Sequence, residues 1–181
     1  MKKIFIVPLL LITFISGSNG ENILKDDFTN ENEWTYIADN VMGGISDGGV
    51  EFNLVGSNVY ALLRGNVSTE NNGCFIQIRR ELKNIDLSRA KSIRLHARGN
   101  NEKYFIFLRT TGTILPWQYY SHEFTVNEEY NEFIMPIKDF KKSGTLLAKQ
   151  INPKKITSVA IVAYGRDHVA EIYVKELEFI E

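Results

Sequence analysis

Hydrophobic and polar residues alternate with a period of two through most of the chain after residue 20. In residues 74–79 and 92–99 one parity is consistently apolar, namely Cys74, Ile76, Ile78, Ile93, Leu95 and Ala97. Strict alternation predicts β-strands that bury one face. Runs rich in β-branched and aromatic residues predict further strands at 104–109, 133–137, 158–164 and 171–180.

The last of these runs changes phase partway along. Ile172 and Val174 share one parity, whereas Leu177 and Phe179 share the other. A one-residue shift of this kind predicts a β-bulge at 175–176.

Turn residues separate the strands, and no segment has the period of a long amphipathic helix. At most a turn or two of helix fits 138–142 and 86–90. Some runs bury one face and others bury both, which suits two packed sheets better than a lone sheet. The pattern therefore predicts an all-β sandwich or barrel built from antiparallel sheets.

Residues 1–20 have the parts of a secretory signal peptide. Lys2 and Lys3 form a basic head, an apolar run follows, and small residues lead up to Gly20. The apolar run is shorter than the ~20 residues that a transmembrane helix needs, although an uncleaved anchor is the alternative. We therefore expect an exported protein, periplasmic or extracellular, with no membrane span after cleavage and one domain at residues 21–181.

Charge and cysteine content exclude one class of partner and one kind of cross-link. The chain has 21 basic and 22 acidic residues, and removing Lys2 and Lys3 takes the net charge from −1 to −3. A nucleic-acid binder would carry a strong basic excess, so none is expected as a partner. Cys74 is the single cysteine, so no disulfide forms within the chain. Its alternation with Ile76 predicts a buried, unreactive thiol.

The sequence offers little for catalysis. Residues 44–48 match the G-x-S-x-G pattern of a nucleophile elbow, but that motif needs a helix after the serine and none can begin there. We therefore expect no catalytic residue, and a loop in which Ser46 and Asp47 cap backbone amides.

Metal and cofactor sites are not indicated either. The three histidines are scattered, and neither paired cysteines nor an H-E-x-x-H motif occurs. No G-x-G-x-x-G fingerprint occurs, so no dinucleotide cofactor is expected. Calcium held by Asp39, Asp47 and Glu70 is an alternative to the favoured interpretation of these residues as hydrogen-bonded loop carboxylates.

Two loops rich in glycine and asparagine, at 39–46 and 65–75, are the most distinctive stretches of the sequence. Their signature residues, with one tryptophan upstream, are Trp34, Asp39, Met42, Gly43, Gly44, Ser46, Gly65, Asn71, Asn72 and Gly73. Glycine permits positive φ and the polar side chains hydrogen-bond their own backbone, so each loop should hold one shape. Together they resemble the signature of the complex I intermediate-associated protein 30 family.

The resemblance covers nearly all of residues 21–181. It continues through 93–99, Tyr104, the aromatic segment 117–120 and the closing strand at 171–174. It implies a galactose-binding-like β-sandwich of the jelly-roll type. It also implies an assembly or chaperone-like factor that binds a protein partner, because founding members assist assembly of respiratory complex I in mitochondria. The expected export separates this chain from that compartment.

Strand parity predicts one surface for a ligand or partner. If the apolar set of 74–79 and 92–99 faces the core, the opposite face carries Phe75, Gln77, Arg79, Arg94, His96 and Arg98, with Phe105, Phe107 and Arg109 from the next strand. Aromatic rings beside guanidinium groups stack on sugars or anchor proteins. A solvated face, with arginine stems covering the rings, is the alternative.

A second aromatic cluster consists of Trp117, Tyr119 and Tyr120, as core plugs or as binding anchors. Two functions follow from these surfaces and from the resemblance. One is an assembly factor that binds a protein, and the other is a carbohydrate-binding module of the cell envelope or extracellular space.

Overall fold

The computed structural model describes residues 21–56 and 58–181, and the predicted leader lies outside them. Within these residues the chain forms twelve strands: β1 (Asn22–Asp26), β2 (Trp34–Ala38), β3 (Asp47–Val55), β4 (Asn58–Val67), β5 (Phe75–Glu81), β6 (Ser92–Gly99), β7 (Lys103–Thr110), β8 (Tyr120–Thr125), β9 (Asn131–Pro136), β10 (Lys141–Lys142), β11 (Ile156–Tyr164) and β12 (His168–Ile180). The short helix expected near 138–142 is a 3-10 turn at Ile137–Asp139. In this part of the chain no helix has the length and apolar character to cross a bilayer.

The strands form two antiparallel sheets with a shared core. The first sheet runs β3-β4-β12-β6-β9, with β1 also paired to β12, and the second runs β10-β8-β7-β11-β5-β2. One cluster of buried apolar residues draws on both sheets. The prediction of an all-β protein with two packed antiparallel sheets is confirmed.

Strand β12 organises the first sheet because it pairs with three neighbours, β4, β6 and β1. Its register against β6 shifts between Val174 and Glu176, which confirms the predicted bulge. The shift keeps the core face continuous, since Val174 before it and Leu177 after it are both buried.

The alternation read from the sequence identifies the buried faces of β5 and β6 correctly. Ile76 and Ile78 of β5, Ile93 and Leu95 of β6 and Ile106 of β7 are fully buried. Strands β5 and β6 nevertheless belong to different sheets. The connection at 82–91 carries the chain from one sheet to the other, and three buried apolar residues of this connection close the core there, namely Leu82, Leu87 and Ala90.

Tyr104 fastens the turn between β6 and β7 to strand β12. Its ring is fully buried, and its hydroxyl donates to Oδ1 of Asn100 (2.8 Å) and accepts the N–H of Glu171 (2.7 Å). The Asn100 amide in turn donates to the carbonyl of Val169 (2.7 Å). Tyr104 and the turn residue Asn100 therefore form one hydrogen-bonded unit with β12.

This unit predicts a loss of stability at alkaline pH. Burial raises the pKa of Tyr104 above its ordinary value of 10.0, since the anion is poorly solvated in the core. Above pH 10 the unfolded chain releases this proton while the folded chain retains it, so the free energy of unfolding falls as pH rises. In urea titrations at pH 8, Tyr104→Phe should have a free energy of unfolding about 1–2 kcal/mol lower than that of the unmodified protein. Between pH 10 and about 11 its free energy of unfolding should fall less steeply with pH, by up to ~1.4 kcal/mol per pH unit. Parallel slopes would contradict this assignment.

Candidate functional site

The carboxylate of Asp39 joins the two signature loops. The residue is fully buried, directly after β2. Its Oδ1 accepts the N–H of Ser46 (3.0 Å), and its Oδ2 accepts the Ser46 hydroxyl and the N–H of Phe75 (3.1 Å). One side chain thus holds the start of β3 and the start of β5. We call this arrangement the Asp39 clip.

Glycines make room for the clip. A Cβ on Gly44 would lie 2.3 Å from Oδ1 of Asp39, and one on Gly73 would lie 2.5 Å from Oδ2. Gly43, at φ +91°, ends the 3-10 turn Asp39–Met42 in a conformation that favours glycine. Asn71 also adopts positive φ (56°) in the second loop, whereas the side chain of Asn72 lies outside what the structure describes. The Met-Gly-Gly and Asn-Asn-Gly sequences therefore fit a close contact between the two loops.

Two further signature residues act elsewhere in the fold. Gly65 of β4 lies opposite Gly48 of β3, and a Cβ on Gly65 would lie 2.1 Å from the carbonyl oxygen of Asp47. The Trp34 indole is buried and donates from Nε1 to Asp26 (2.8 Å).

Ser46 is committed to the clip. It is 3% exposed, and its hydroxyl donates to Asp39 and accepts the N–H of Ser68 (3.0 Å). These bonds fit the structural interpretation of the G-x-S-x-G match. Of the carboxylates considered for calcium, Asp39 serves the clip and Asp47 accepts the amide of Asn66 (3.0 Å). No cluster of three or more His, Cys, Asp or Glu side chains suited to a metal occurs in the described ranges.

The surface predicted from parity is divided between the two sheets. Phe75, Gln77 and Arg79 lie on the outer face of the second sheet, and Arg94, His96 and Arg98 lie on β6 of the first. The prediction of one shared face was wrong, because a period of two identifies the buried side of a strand and carries no information on its sheet.

The three residues on β6 interact with residues of the first sheet and with Tyr130 in the loop before β9. Arg94 forms an ion pair with the buried Glu178 and donates to Oδ1 of Asn22 (3.1 Å). The Arg98 guanidinium carbon lies 3.9 Å from the ring centroid of Tyr173. The ring centroids of His96 and Tyr130 are 5.4 Å apart. This half of the predicted surface matches the alternative of arginine stems packed over rings.

The outer face of the second sheet contains a groove of about 690 Å³. Its lining comprises Ile37, Val41, Met42, Cys74, Phe75, Gln77, Arg79, Phe107, Arg109, Pro116, Trp117, Gln118, Tyr119, Ser143, Ser158, Ala160 and Tyr164. Ser158 and Ala160 of the central strand β11 lie at its floor and are almost fully buried. Small floor residues between large wall residues give the groove its depth.

Stacked aromatic rings form one wall. Phe107 and Tyr119 are parallel, with ring centroids 3.9 Å apart and an interplanar angle of 8°. Tyr164 meets Phe107 edge to face at 5.5 Å. Burial raises the pKa of Tyr119, as does the neighbouring Tyr164 hydroxyl, so the Tyr119 phenol is neutral at physiological pH. The wall is rigid and uncharged.

Two guanidinium groups also line the groove, Arg109 two residues after Phe107 on β7 and Arg79 across Ala160 from Phe107. Arg109 donates to the carbonyls of Thr113 (3.2 Å) and Leu115 (3.0 Å). Arg79 forms an ion pair with Glu81, with 3.3 Å between Nε and Oε1. Burial lowers the pKa of Arg109, and the positive charge of Arg79 lowers it further. The two cations are therefore close enough to repel one another.

Exposed apolar side chains form the rims. Trp117 is 63% exposed on one rim, and Val41 and Met42, in the 3-10 turn of the clip, are 70% and 52% exposed on the other. Gln118 holds the Trp117 loop by accepting the N–H groups of Ile114 (2.9 Å) and Leu115 (3.0 Å).

The aromatic residues of the segment 117–120 lie in two different environments, the core and the groove. Tyr120 is buried in the core, with its hydroxyl donating to Ala148 (3.1 Å), whereas Tyr119 and Trp117 line the groove. Cys74 is half-buried at the groove instead of lying in the core, because β5 begins one residue later. Burial raises the pKa of its thiol, which keeps it protonated.

Sequence reasoning missed Tyr164. The run at 156–164 is apolar on both parities, so nothing in it distinguishes a core face from a groove face. The signal that was available is side-chain size, since Ser158 and Ala160 are small on the parity that ends in Tyr164.

Comparison with known proteins identifies a family whose model matches most of the chain. The family model described as complex I intermediate-associated protein 30 matches residues 24–171. A search of curated proteins finds no match to the chain.

Solved structures of carbohydrate-binding modules share the fold. A family 11 module from a cellulosomal cellulase of Clostridium thermocellum is 12% identical, with a TM-score of 0.71 over 92% of this chain and 97% of that one. A family 11 module from Clostridium thermocellum in complex with a β-1,3-1,4-mixed-linked tetrasaccharide is 13% identical, with a TM-score of 0.69 over 86% and 92%. An exo-β-agarase matches at 6% identity and a TM-score of 0.55, over 90% of this chain and 25% of that one. These matches confirm the jelly-roll β-sandwich.

Proposed function

The chain belongs to the complex I intermediate-associated protein 30 family, and from this premise we propose that it is a non-catalytic binding domain whose groove on the second sheet takes a carbohydrate chain. The observation that carries the proposal is the build of the groove, with a floor of small residues, a stacked aromatic wall and planar polar side chains together on one outer face. The predicted leader adds that binding takes place outside the cytoplasm.

The size and lining of the groove suit sugar rings. A space of about 690 Å³ lies within the range of known ligand sites. The exposed face of Trp117 offers a flat apolar surface of the kind on which the C–H faces of sugars stack. Gln77 and Arg79 supply hydrogen-bond donors for hydroxyl groups beside the rings.

Removing the indole tests this proposal. Trp117→Ala should weaken binding of a soluble oligosaccharide by roughly tenfold or more, because truncating an exposed aromatic anchor costs about 2 kcal/mol of binding free energy. A glycan array identifies the oligosaccharide, and titration calorimetry measures its dissociation constant for both variants. Ile114→Ala is the matched control, since Ile114 is 84% exposed in the same loop and does not line the groove.

Two results would refute carbohydrate binding. One is an array without any bound glycan, and the other is a Trp117→Ala variant that binds as tightly as the Ile114→Ala control.

An assembly factor that binds a protein is the second candidate, and family membership favours it. The exposed Val41, Met42 and Ile45 on the first signature loop would form its contact. Cross-linking from position 42 to one defined membrane or envelope protein, without any response to sugars, would support this candidate over the first.

A further inference from the structure

The charge of the groove is unbalanced. Among the described residues that line it are two guanidinium groups and no carboxylate, although the domain as a whole is slightly acidic. Glu81 pairs with Arg79 from outside the lining and is itself exposed. Arg109 directs its Nε and Nη2 groups to neutral acceptors, the carbonyls of Thr113 and Leu115 and the Thr113 hydroxyl, so these bonds do not neutralise its charge.

Strand register places the two arginines on either side of the groove floor. Arg79 of β5 lies opposite Ala160 of β11, and Arg109 of β7 lies opposite Ser158 on the other side of the same strand. The two strands that carry them are therefore separated by two interstrand spacings, roughly 10 Å. Long guanidinium side chains can reach one oxyanion between them across that gap.

A ligand anion at this position would stabilise two partly buried cations. Burial and the positive charge of Arg79 lower the pKa of Arg109, whereas the exposed Glu81, which lies across Ser158 from Arg109, acts in the opposite direction. Guanidinium groups bind carboxylates and sulfates with paired, charge-assisted hydrogen bonds. Phe107 of the aromatic wall lies across Ala160 from Arg79, and the pair of Phe75 and Tyr164 lies further along the floor. The uncharged faces of neighbouring rings can therefore pack beside the guanidinium groups.

We propose that the groove selects an acidic oligosaccharide, with the carboxylate or sulfate of one sugar between Arg79 and Arg109 and the adjoining rings against the aromatic wall. This inference rests on the proposed carbohydrate-binding function and specifies its ligand class. Neutral chains bind the same wall more weakly.

Calorimetry with matched oligosaccharides tests the inference. The probes are an oligogalacturonate, the same oligosaccharide with its carboxyl groups reduced to alcohols, and a sulfated galactan oligosaccharide of equal length. The acidic probes should bind the full chain roughly tenfold or more tightly than the reduced one, with a preference that shrinks as salt is added. The two acidic probes distinguish a carboxylate from a sulfate as the preferred group.

Arg79→Gln removes the charge and keeps an amide donor, so it should lower the affinity for the acidic probes roughly tenfold, lower that for the reduced probe much less, and narrow the difference between them. Arg64→Gln is the matched control, because Arg64 forms an ion pair with Glu51 on the first sheet. Equal binding of acidic and reduced probes by the unmodified protein overturns the inference while the carbohydrate proposal stands, and this comparison needs no variant to fold. Binding of none of the three probes, together with an empty glycan array, overturns both.

Discussion

Asp39→Ala is expected to lower the free energy of unfolding by about 3–5 kcal/mol. The substitution removes the acceptor of three donors in a fully buried site, the N–H and hydroxyl of Ser46 and the N–H of Phe75. Water cannot reach all three without opening the contact between the two loops. Urea unfolding should show the loss directly, and the melting temperature should fall by roughly 10 °C or more.

Two variants sharpen this test. Asp47→Ala removes an exposed carboxylate that binds Asn66 and should cost less than about 1 kcal/mol. Asp39→Asn keeps the shape but turns one acceptor into a donor, so it should be nearly as damaging as Asp39→Ala. If Asp39→Ala were no worse than Asp47→Ala, the clip would not hold the loops.

The second large effect is expected at Asp26, the last residue of β1. Its buried carboxylate accepts the N–H of Phe28 (2.8 Å) and the Trp34 indole N–H (2.8 Å), and it pairs with Arg80. Asp26→Ala leaves these donors unmatched, and Glu33 alone remains for Arg80. We expect a loss of about 3 kcal/mol in the free energy of unfolding.

The neighbouring residue provides the control for this second prediction. Asp27 carries the same charge but is exposed, and it binds only Thr29 in a local turn. Asp27→Ala should cost less than about 1 kcal/mol in the same urea titrations. Equal losses for the two variants would show that the burial of Asp26 and its contact with Arg80 do not contribute.

Local patterns in the sequence were sufficient for six of the twelve strands, namely β5, β6, β7, β9, β11 and β12, and did not identify β1 to β4, β8 or β10. The alternation in β5 and β6 and the phase change in β12 are both set by which side chains can be buried, and that information is present residue by residue. The resemblance carried by the two loops supplied the jelly-roll arrangement, which periodicity alone left open between sandwich and barrel.

The candidate site was harder to predict because it depends on which strands are neighbours. Arg79 and Arg94 have the same parity relative to the core, yet the crossover at 82–91 places them on opposite sides of the molecule. Tyr164 was missed because β11 is buried on both faces, one by the core and the other by the groove walls. Pairing between distant strands, which creates the groove, leaves no local trace in either strand.

The clip and the groove have consequences for how this group of domains can diverge. The clip uses Asp39, Gly44, Ser46 and Gly73, whereas the guanidinium groups of the groove occupy outward-facing positions on β5 and β7. Exchanging Arg79 there for another side chain leaves the hydrogen bonds of the clip in place. Domains that share this framework can thus bind different ligands. The ligand therefore has to be determined separately for each chain that carries the loops.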